Sequence, residues 1–218
     1  MSNALQADAS AADAWVEFDI GSDQPLVWLT YEQRVTIAAL VVPLEGRFAQ
    51  LWDPTHTSQI DFVSFVDSGG LNWQSDGAFG DTPPPAGNVW QTVELLHENG
   101  STESLYVNTV LIGSGTASGD DTRFLTLGLR DVFTPDPTSV VLIRNVKLGT
   151  TRGGDDLFSW PDTETDLSAW TSQSGDVSVV PAPAPPEVVY TRIYGIQIAL
   201  SDDGVEQVTA LITSQDGF

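Results

Sequence analysis

Three consecutive segments between Leu105 and Thr150, LYVNTVLIGSG, RFLTLGLRD and VVLIRNVKLGT, confine this chain to a fold built from sheets. Leu105 and Val107 alternate with Tyr106 and Asn108, and Leu125, Leu127 and Leu129 alternate with Thr126 and Gly128. A two-residue period puts one apolar row on one side of an extended chain, so these segments read as half-buried strands. Asn108 and Thr109 fall where the first segment must reverse, and Asn tolerates the left-handed backbone of a tight turn.

The same period appears upstream. From Trp15 to Ile20, Val16, Phe18 and Ile20 share one face while Trp15, Glu17 and Asp19 share the other, which predicts a half-exposed strand. Val35 to Val42 is a continuous apolar run halted by Pro43, which predicts a strand buried on both faces. Ile60 to Val66 predicts another strand, closed by the Ser68-Gly69-Gly70 turn. Asp76 to Asn88 reads as a loop, because Thr82-Pro83-Pro84-Pro85 cannot donate to a sheet ladder. No long window carries a helical period, and 19 Gly and 13 Pro punctuate the chain as a many-stranded protein requires. The reading is all-β, with roughly eight to ten short strands over residues 3 to 149.

Composition removes whole classes of function. A chain of 218 residues, 41% of them hydrophobic, can bury one sizeable core. Its net charge of -22 repels phosphate backbones and anionic lipid surfaces, so neither nucleic acid nor membrane is expected as a partner. With no cysteine, disulfides, thiolate chemistry and cysteine metal sites are excluded. Met1 to Ser10 has neither a basic region nor an apolar run, and no window approaches the roughly 18 apolar residues of a membrane span, so no ordinary signal peptide is expected.

The order of Val89-Trp90-Gln91-Thr92-Val93-Glu94-Leu95 followed by the three strand segments resembles the last sheet strands of concanavalin A-like (laminin G-like) jelly rolls. The resemblance covers most of residues 3 to 180 and implies a jelly-roll β-sandwich. Asp155-Asp156-Leu157-Phe158, Asp166-Leu167-Ser168-Ala169-Trp170 and Gly175 to Val180 resemble the opening of such a domain, yet they follow its close. Asn3 to Ala7 and Ala14 to Phe18 look like a jelly roll entered at its second strand. Residues 176–180 are therefore expected to supply the missing strand. They do so either to their own sheet, the favoured arrangement because loop closure costs only slowly more with length, or to a neighbouring copy.

The predicted organisation is a sandwich over residues 1–180, a Pro-rich linker over 181–186 and a C-terminal β-hairpin arm over 187–218. In the arm, Val188 to Leu200 and Val205 to Ile212 flank Ser201-Asp202-Asp203-Gly204, a hairpin turn signal. An isolated hairpin is marginal in water, so the apolar row Tyr194, Ile196, Ile198 and Leu200 must dock. It is read as an assembly interface with another subunit or a scaffold protein, the alternative being its own sandwich.

Candidate chemistry is sparse. His56 and His97, the two histidines, lie in no metal or nucleophile motif and read as rim residues. There is no G-x-S-x-G context for a hydrolase. Glu17 and Asp19 point the same way, as paired glycosidase carboxylates do, but read as a solvated acidic face. The E-x-D-x-x-E arrangement of the related hydrolases is broken at Ser22. No catalytic residue and no cofactor is assigned, and the metal question stays open. The resemblance allows a structural calcium near Asp120-Asp121, Asp155-Asp156 or Asp202-Asp203, although none forms a D-x-[DN]-x-[DN]-G loop and turn geometry explains such pairs. Trp90 matches the core tryptophan of the jelly rolls, and Arg144 stands where they carry an acid.

The phrases D-L-S-A-W, W-V-E-F-D and L-Y-V-N also resemble those of bacteriophage virion proteins. That resemblance implies a non-enzymatic capsid decoration or tail-associated subunit located in the virion and anchored by its arm. Its implied partners are other virion proteins, major capsid or tail proteins, and further copies of itself. The alternative is a carbohydrate-binding module that meets host glycans through exposed tryptophans, with a glycoside hydrolase ranked below it.

Overall fold

The computed structural model describes residues 2–8, 13–36, 46–56, 59–67, 71–74, 79–80, 88–130 and 140–183. Its strands are β1 (Asn3–Asp8), β2 (Ala14–Gln24), β3 (Leu26–Thr36), β4 (Gly46–Trp52), β5 (Gln59–Asp67), β6 (Leu71–Gln74), β7 (Phe79–Gly80), β8 (Gln91–Glu98), β9 (Thr102–Val107), β10 (Val110–Gly115), β11 (Thr122–Arg130), β12 (Val140–Gly149), β13 (Phe158–Trp160), β14 (Ser172–Ser174) and β15 (Asp176–Pro181). The first sheet runs β10-β9-β8-β3-β12-β1-β15, with β13 also paired to β12, and the second runs β14-β2-β11-β4-β5-β6-β7. Every pairing is antiparallel. The fold is thus an all-β concanavalin A-like jelly-roll sandwich.

Period two sets the inner faces. Val27, Leu29, Tyr31 and Val35 of β3 and Leu105 and Val107 of β9 project inward from the first sheet, against Val16, Leu51, Leu125, Leu127 and Leu129 of the second. Burying each such side chain contributes about 1.5–3 kcal/mol, so this interleaved layer holds the sheets together. One end is closed by aromatics. Phe158 stacks on Phe18 at 4.0 Å and meets Trp170 edge-on at 4.9 Å, and Trp160 is fully buried beside them.

Residues 176–181 pair with β1 of the same chain, from Asp8↔Asp176 to Asn3↔Pro181, so the chain completes its own first sheet. Just before them, β14 pairs with β2 at the edge of the second sheet. A few residues therefore step from one layer to the other through Gly175, at φ 73. A Cβ there would meet the Asp13 carbonyl and Ala14 Cα, so glycine is required. The expected Pro-rich linker opens inside the sandwich. Pro181 ends β15, Ala182 N–H donates to the Ser2 carbonyl at 2.9 Å, and the Pro183 carbonyl accepts from Trp90 Nε1 at 3.3 Å. The arm, with Tyr194, Ile196, Ile198 and Leu200, lies outside the described residues.

The β9–β10 hairpin follows its sequence. Asn108 and Thr109 are both at positive φ, 49 and 69, as a type I′ turn requires. Asn108 N–H donates to the Thr92 carbonyl at 2.8 Å, and its Oδ1 accepts from Thr92 N–H at 2.9 Å, which ties the turn to β8.

Other expectations are corrected. Of the strand read at Val35 to Val42, Val35 and Thr36 close β3, which starts at Leu26; residues 37–45 lie outside the described residues. The strand Gly46–Trp52 carries no clean alternation because its ladder shifts register between Arg47 and Ala49. The loop read at Asp76 to Asn88 contains the short strand Phe79–Gly80, and most of the rest lies outside the described residues. Trp90 is half-buried and covered by the Arg144 guanidinium at 4.1 Å, so it is not the core tryptophan; Trp160 and Trp170 fill that role. His97 is not a rim residue: it is fully buried, and its Nε2 donates to the Asp120 carbonyl at 3.1 Å. Burial holds the His97 pKa below its ordinary value, against the opposing pull of that bond and of Asp120 and Asp121.

Candidate functional site: the outer face of the second sheet

Because β2, β11 and β4 are neighbours in register, residues far apart in sequence line up on the outer face of the second sheet. Glu17 lies opposite Thr126, which lies opposite Gln50, and Asp19 lies opposite Phe124, which lies opposite Trp52. Trp15 lies opposite Gly128. Gly128 sits at φ 132, and a Cβ there would run into the Ala14 carbonyl and Trp15 Cα, so glycine alone permits this approach of β2 and β11.

Glu17 is not the solvated acid that its neighbours in sequence suggest. It is only 7% exposed and sits at the centre of a polar network. Thr126 Oγ1 donates to Glu17 Oε2 at 3.3 Å and accepts from Trp52 Nε1 at 3.1 Å. Ser172 Oγ donates to Oε1 at 3.3 Å. His56 Nε2 meets Oε2 at 2.8 Å. His56 reaches this point from the turn after β4, where it adopts φ 56 and its N–H donates to the Asp53 carbonyl. Its ring lies flat on Phe124, centroids 4.6 Å apart, with Trp52 edge-on at 5.3 Å.

Arg130 completes the patch. Its guanidinium carbon is 4.9 Å from the Trp15 ring centre and 4.5 Å from that of Trp52. Two aromatic faces thus hold one cation through their quadrupoles. Its Nη1 is buried without a hydrogen-bond partner, a donor aimed between two rings. Asp19 is handled separately: Arg123 Nε binds its Oδ1 at 2.5 Å and Gly21 N–H donates to the same oxygen at 2.8 Å. The guanidinium, and then the Gly21 amide, hold the Asp19 carboxyl below the usual carboxylate range. Glu17 and Asp19 therefore share a face but not a task. Asp19 is engaged by Arg123 and Gly21, and Glu17 by His56, Thr126 and Ser172, so the two carboxylates have separate sets of partners.

The patch unites Glu17, Trp15 and His56, which the sequence singled out separately, with Trp52, Phe124, Thr126 and Arg130, which it did not connect. No local motif marks the latter, because their only relation is cross-strand register. The calcium candidates do not converge. Asp121 accepts from Asn99 Nδ2 at 2.6 Å, and Asp156 accepts from Thr150 N–H and Oγ1 at 3.0 and 2.8 Å, so both brace turns. Among the described residues no group of three or more His, Asp or Glu could hold a metal. Asp202-Asp203 lies outside them.

Among solved structures, the chain is similar to a native heptameric SAP-like pentraxin from Limulus polyphemus, with 13% identity and a TM-score of 0.50 over 82% of this chain and 94% of that one. It also matches the alginate lyase AlgAT5 of polysaccharide lyase family 7, with 14% identity and a TM-score of 0.44 over 65% and 64% of the two chains. A botulinum neurotoxin serotype D binding domain matches with 10% identity and a TM-score of 0.46 over 67% of this chain; the match spans 38% of the neurotoxin domain. At these identities the likeness is one of fold, the jelly-roll sandwich. No protein-family model matches the sequence, and no curated protein does.

Proposed function

We propose that this chain is a non-enzymatic carbohydrate-binding sandwich that takes a glycan on the outer face of its second sheet. The observation that carries this reading is the placing of Arg130 between the half-exposed rings of Trp15 and Trp52, beside the exposed His56 and the buried Glu17. Sugar recognition needs apolar ring surface next to a few fixed polar groups, and this patch supplies both without a deep cleft. The test is affinity electrophoresis against immobilised polysaccharides and a glycan array, with the native chain beside Trp15→Ala and Trp52→Ala. Retardation by at least one glycan that both substitutions abolish, with unchanged circular dichroism, is the expected result. An array without a hit would sink the reading.

The second reading is a bacteriophage virion structural protein, a capsid decoration or tail-associated subunit working with major capsid or tail proteins and with copies of itself. It rests on D-L-S-A-W, W-V-E-F-D and L-Y-V-N and on the apolar row Tyr194, Ile196, Ile198 and Leu200. It is compatible with the first, since a virion subunit can display a glycan-binding face. Light-scattering mass of the full chain beside a chain ending at Pro183 tests it. A multimer that becomes a folded monomer on truncation supports the arm as an assembly device, whereas two monomers remove self-assembly from the reading.

A further inference from the structure

The opposite side of the molecule holds a cavity of about 350 Å³ in the outer face of the first sheet, lined by Thr30, Glu32, Thr92, Asn145, Lys147 and Ser159, among others. A β-bulge makes it. The β3–β12 ladder runs to Glu32↔Arg144 and resumes at Thr30↔Lys147, so Asn145 and Val146 together oppose Tyr31. Asn145 takes φ 53, a left-handed backbone that a non-glycine residue adopts at a cost. Its side chain is fixed at both ends: Nδ2 donates to Glu32 Oε1 at 3.1 Å, and Oδ1 accepts from Asp162 N–H at 3.2 Å.

Charge around the cavity is uneven in a telling way. Glu32 is matched by Arg144 at 2.7 Å, and nearby Glu94 is matched by Arg152 at 2.5 Å. Lys147, the single lysine of a chain with net charge -22, has no ion pair among the described residues. One desolvated hydroxyl of the lining, Thr30 Oγ1, has no hydrogen-bond partner. Buried polar groups are ordinarily paired, so an orphan at a cavity points to a polar occupant.

We propose that this cavity is a second binding site, distinct from the aromatic patch, for a one-ring hydroxy acid of hexuronate size. Its volume is at the small end of ligand pockets, which span about 300–1,000 Å³, and suits a single ring. Lys147 receives the carboxylate, and the Thr30, Thr92 and Ser159 hydroxyls and the Asn145 side chain face the ring hydroxyls. Glu32 is neutralised by Arg144 and so does not repel the acid.

The test is isothermal titration of the full chain with sodium glucuronate, glucose and cyclohexanecarboxylate, repeated on Lys147→Gln, Thr30→Val and Trp52→Ala. Saturable glucuronate binding is expected, weakened about tenfold by Lys147→Gln and several-fold by Thr30→Val, and untouched by Trp52→Ala. Glucose and cyclohexanecarboxylate should each bind at least tenfold more weakly than glucuronate. Lys147 is exposed, so its variant keeps the fold, and an unchanged melting curve verifies this. No saturable glucuronate binding, or binding indifferent to Lys147→Gln, overturns the proposal. Equal binding of cyclohexanecarboxylate overturns its hydroxyl half, and loss in Trp52→Ala overturns its separation from the aromatic patch.

Discussion

The two outer faces of the sandwich use arginine and tryptophan differently. On the first sheet two guanidiniums each join a carboxylate to a ring: Arg152 binds Glu94 and lies 4.3 Å from the Tyr106 ring centre and 5.5 Å from that of Trp28, while Arg144 binds Glu32 and covers Trp90. On the second sheet Arg130 sits between two rings with a bare donor, and the nearby carboxylate, Glu17, is served by His56, Thr126 and Ser172 instead. On the first face Glu32 and Glu94 have arginine partners, whereas Lys147 has no ion pair among the described residues. On the second face Asp19 is paired with Arg123, whereas Arg130 and Glu17 are held apart, the one by two aromatic rings and the other by His56, Thr126 and Ser172. A face whose charges already satisfy one another has little to offer a ligand, so the departures from that pattern are where binding is proposed.

The largest blow to this contrast is Gly128→Ala. The added Cβ would strike the β2 backbone at the Ala14 carbonyl and Trp15 Cα, which no rotamer change relieves, so β2 and β11 must separate. A loss above about 3 kcal/mol is expected, and at about 2–4 °C per kcal/mol the melting temperature should fall by roughly 6 °C or more. A thermal melt unchanged within a degree or two would show that the outer patch does not depend on this approach.

A paired comparison of carboxylates sharpens the contrast at smaller amplitude. Glu17→Ala strips three donors of a buried acceptor and should cost about 2 kcal/mol. Glu94→Ala removes an ion pair whose arginine side chain is 46% exposed, and should cost below about 1 kcal/mol. Urea denaturation of both variants measures the difference; equal costs would mean that the two faces are held alike.

Acid separates the layers with the smallest effect. His97 has a folded-state pKa below its ordinary value, so the unfolded chain binds the proton more readily. Its contribution is complete above about pH 6.5 and is lost as the pH falls through the folded value. Asp19, also depressed, contributes above about pH 4 and loses that contribution only in stronger acid. Stability should therefore start to fall just below pH 6.5, and His97→Gln should remove that first limb while leaving the more acidic one. A variant that retains the first limb would assign it elsewhere.

Much of the fold was legible. The rows Leu105/Val107 and Leu125/Leu127/Leu129 became inner faces because a pleated strand sends alternate side chains to opposite sides. The turn at Asn108-Thr109 and the return of residues 176–180 to the first sheet were legible too. The strand Leu26–Thr36 was missed although Val27, Leu29, Tyr31 and Val35 alternate, since the longer apolar run after Val35 drew the reading downstream. The sites were far less legible. Glu17 looked solvated because its strand alternates with acids, and only the arrival of His56, Thr126 and Ser172 buries it. Trp90 looked like core because nothing in sequence shows that Arg144 will lie on its ring.

By itself the sequence determined that this chain is an antiparallel sandwich and which rows face inward, because period-two burial and turn chemistry are local properties of the backbone. Only the tertiary structure decided which acid is buried, which arginine has a carboxylate and where a bulge opens a cavity. Those outcomes follow from cross-strand register between residues as distant as Glu17 and Thr126, or Glu32 and Arg144, and register is settled by the packing of the whole sheet rather than by any one strand.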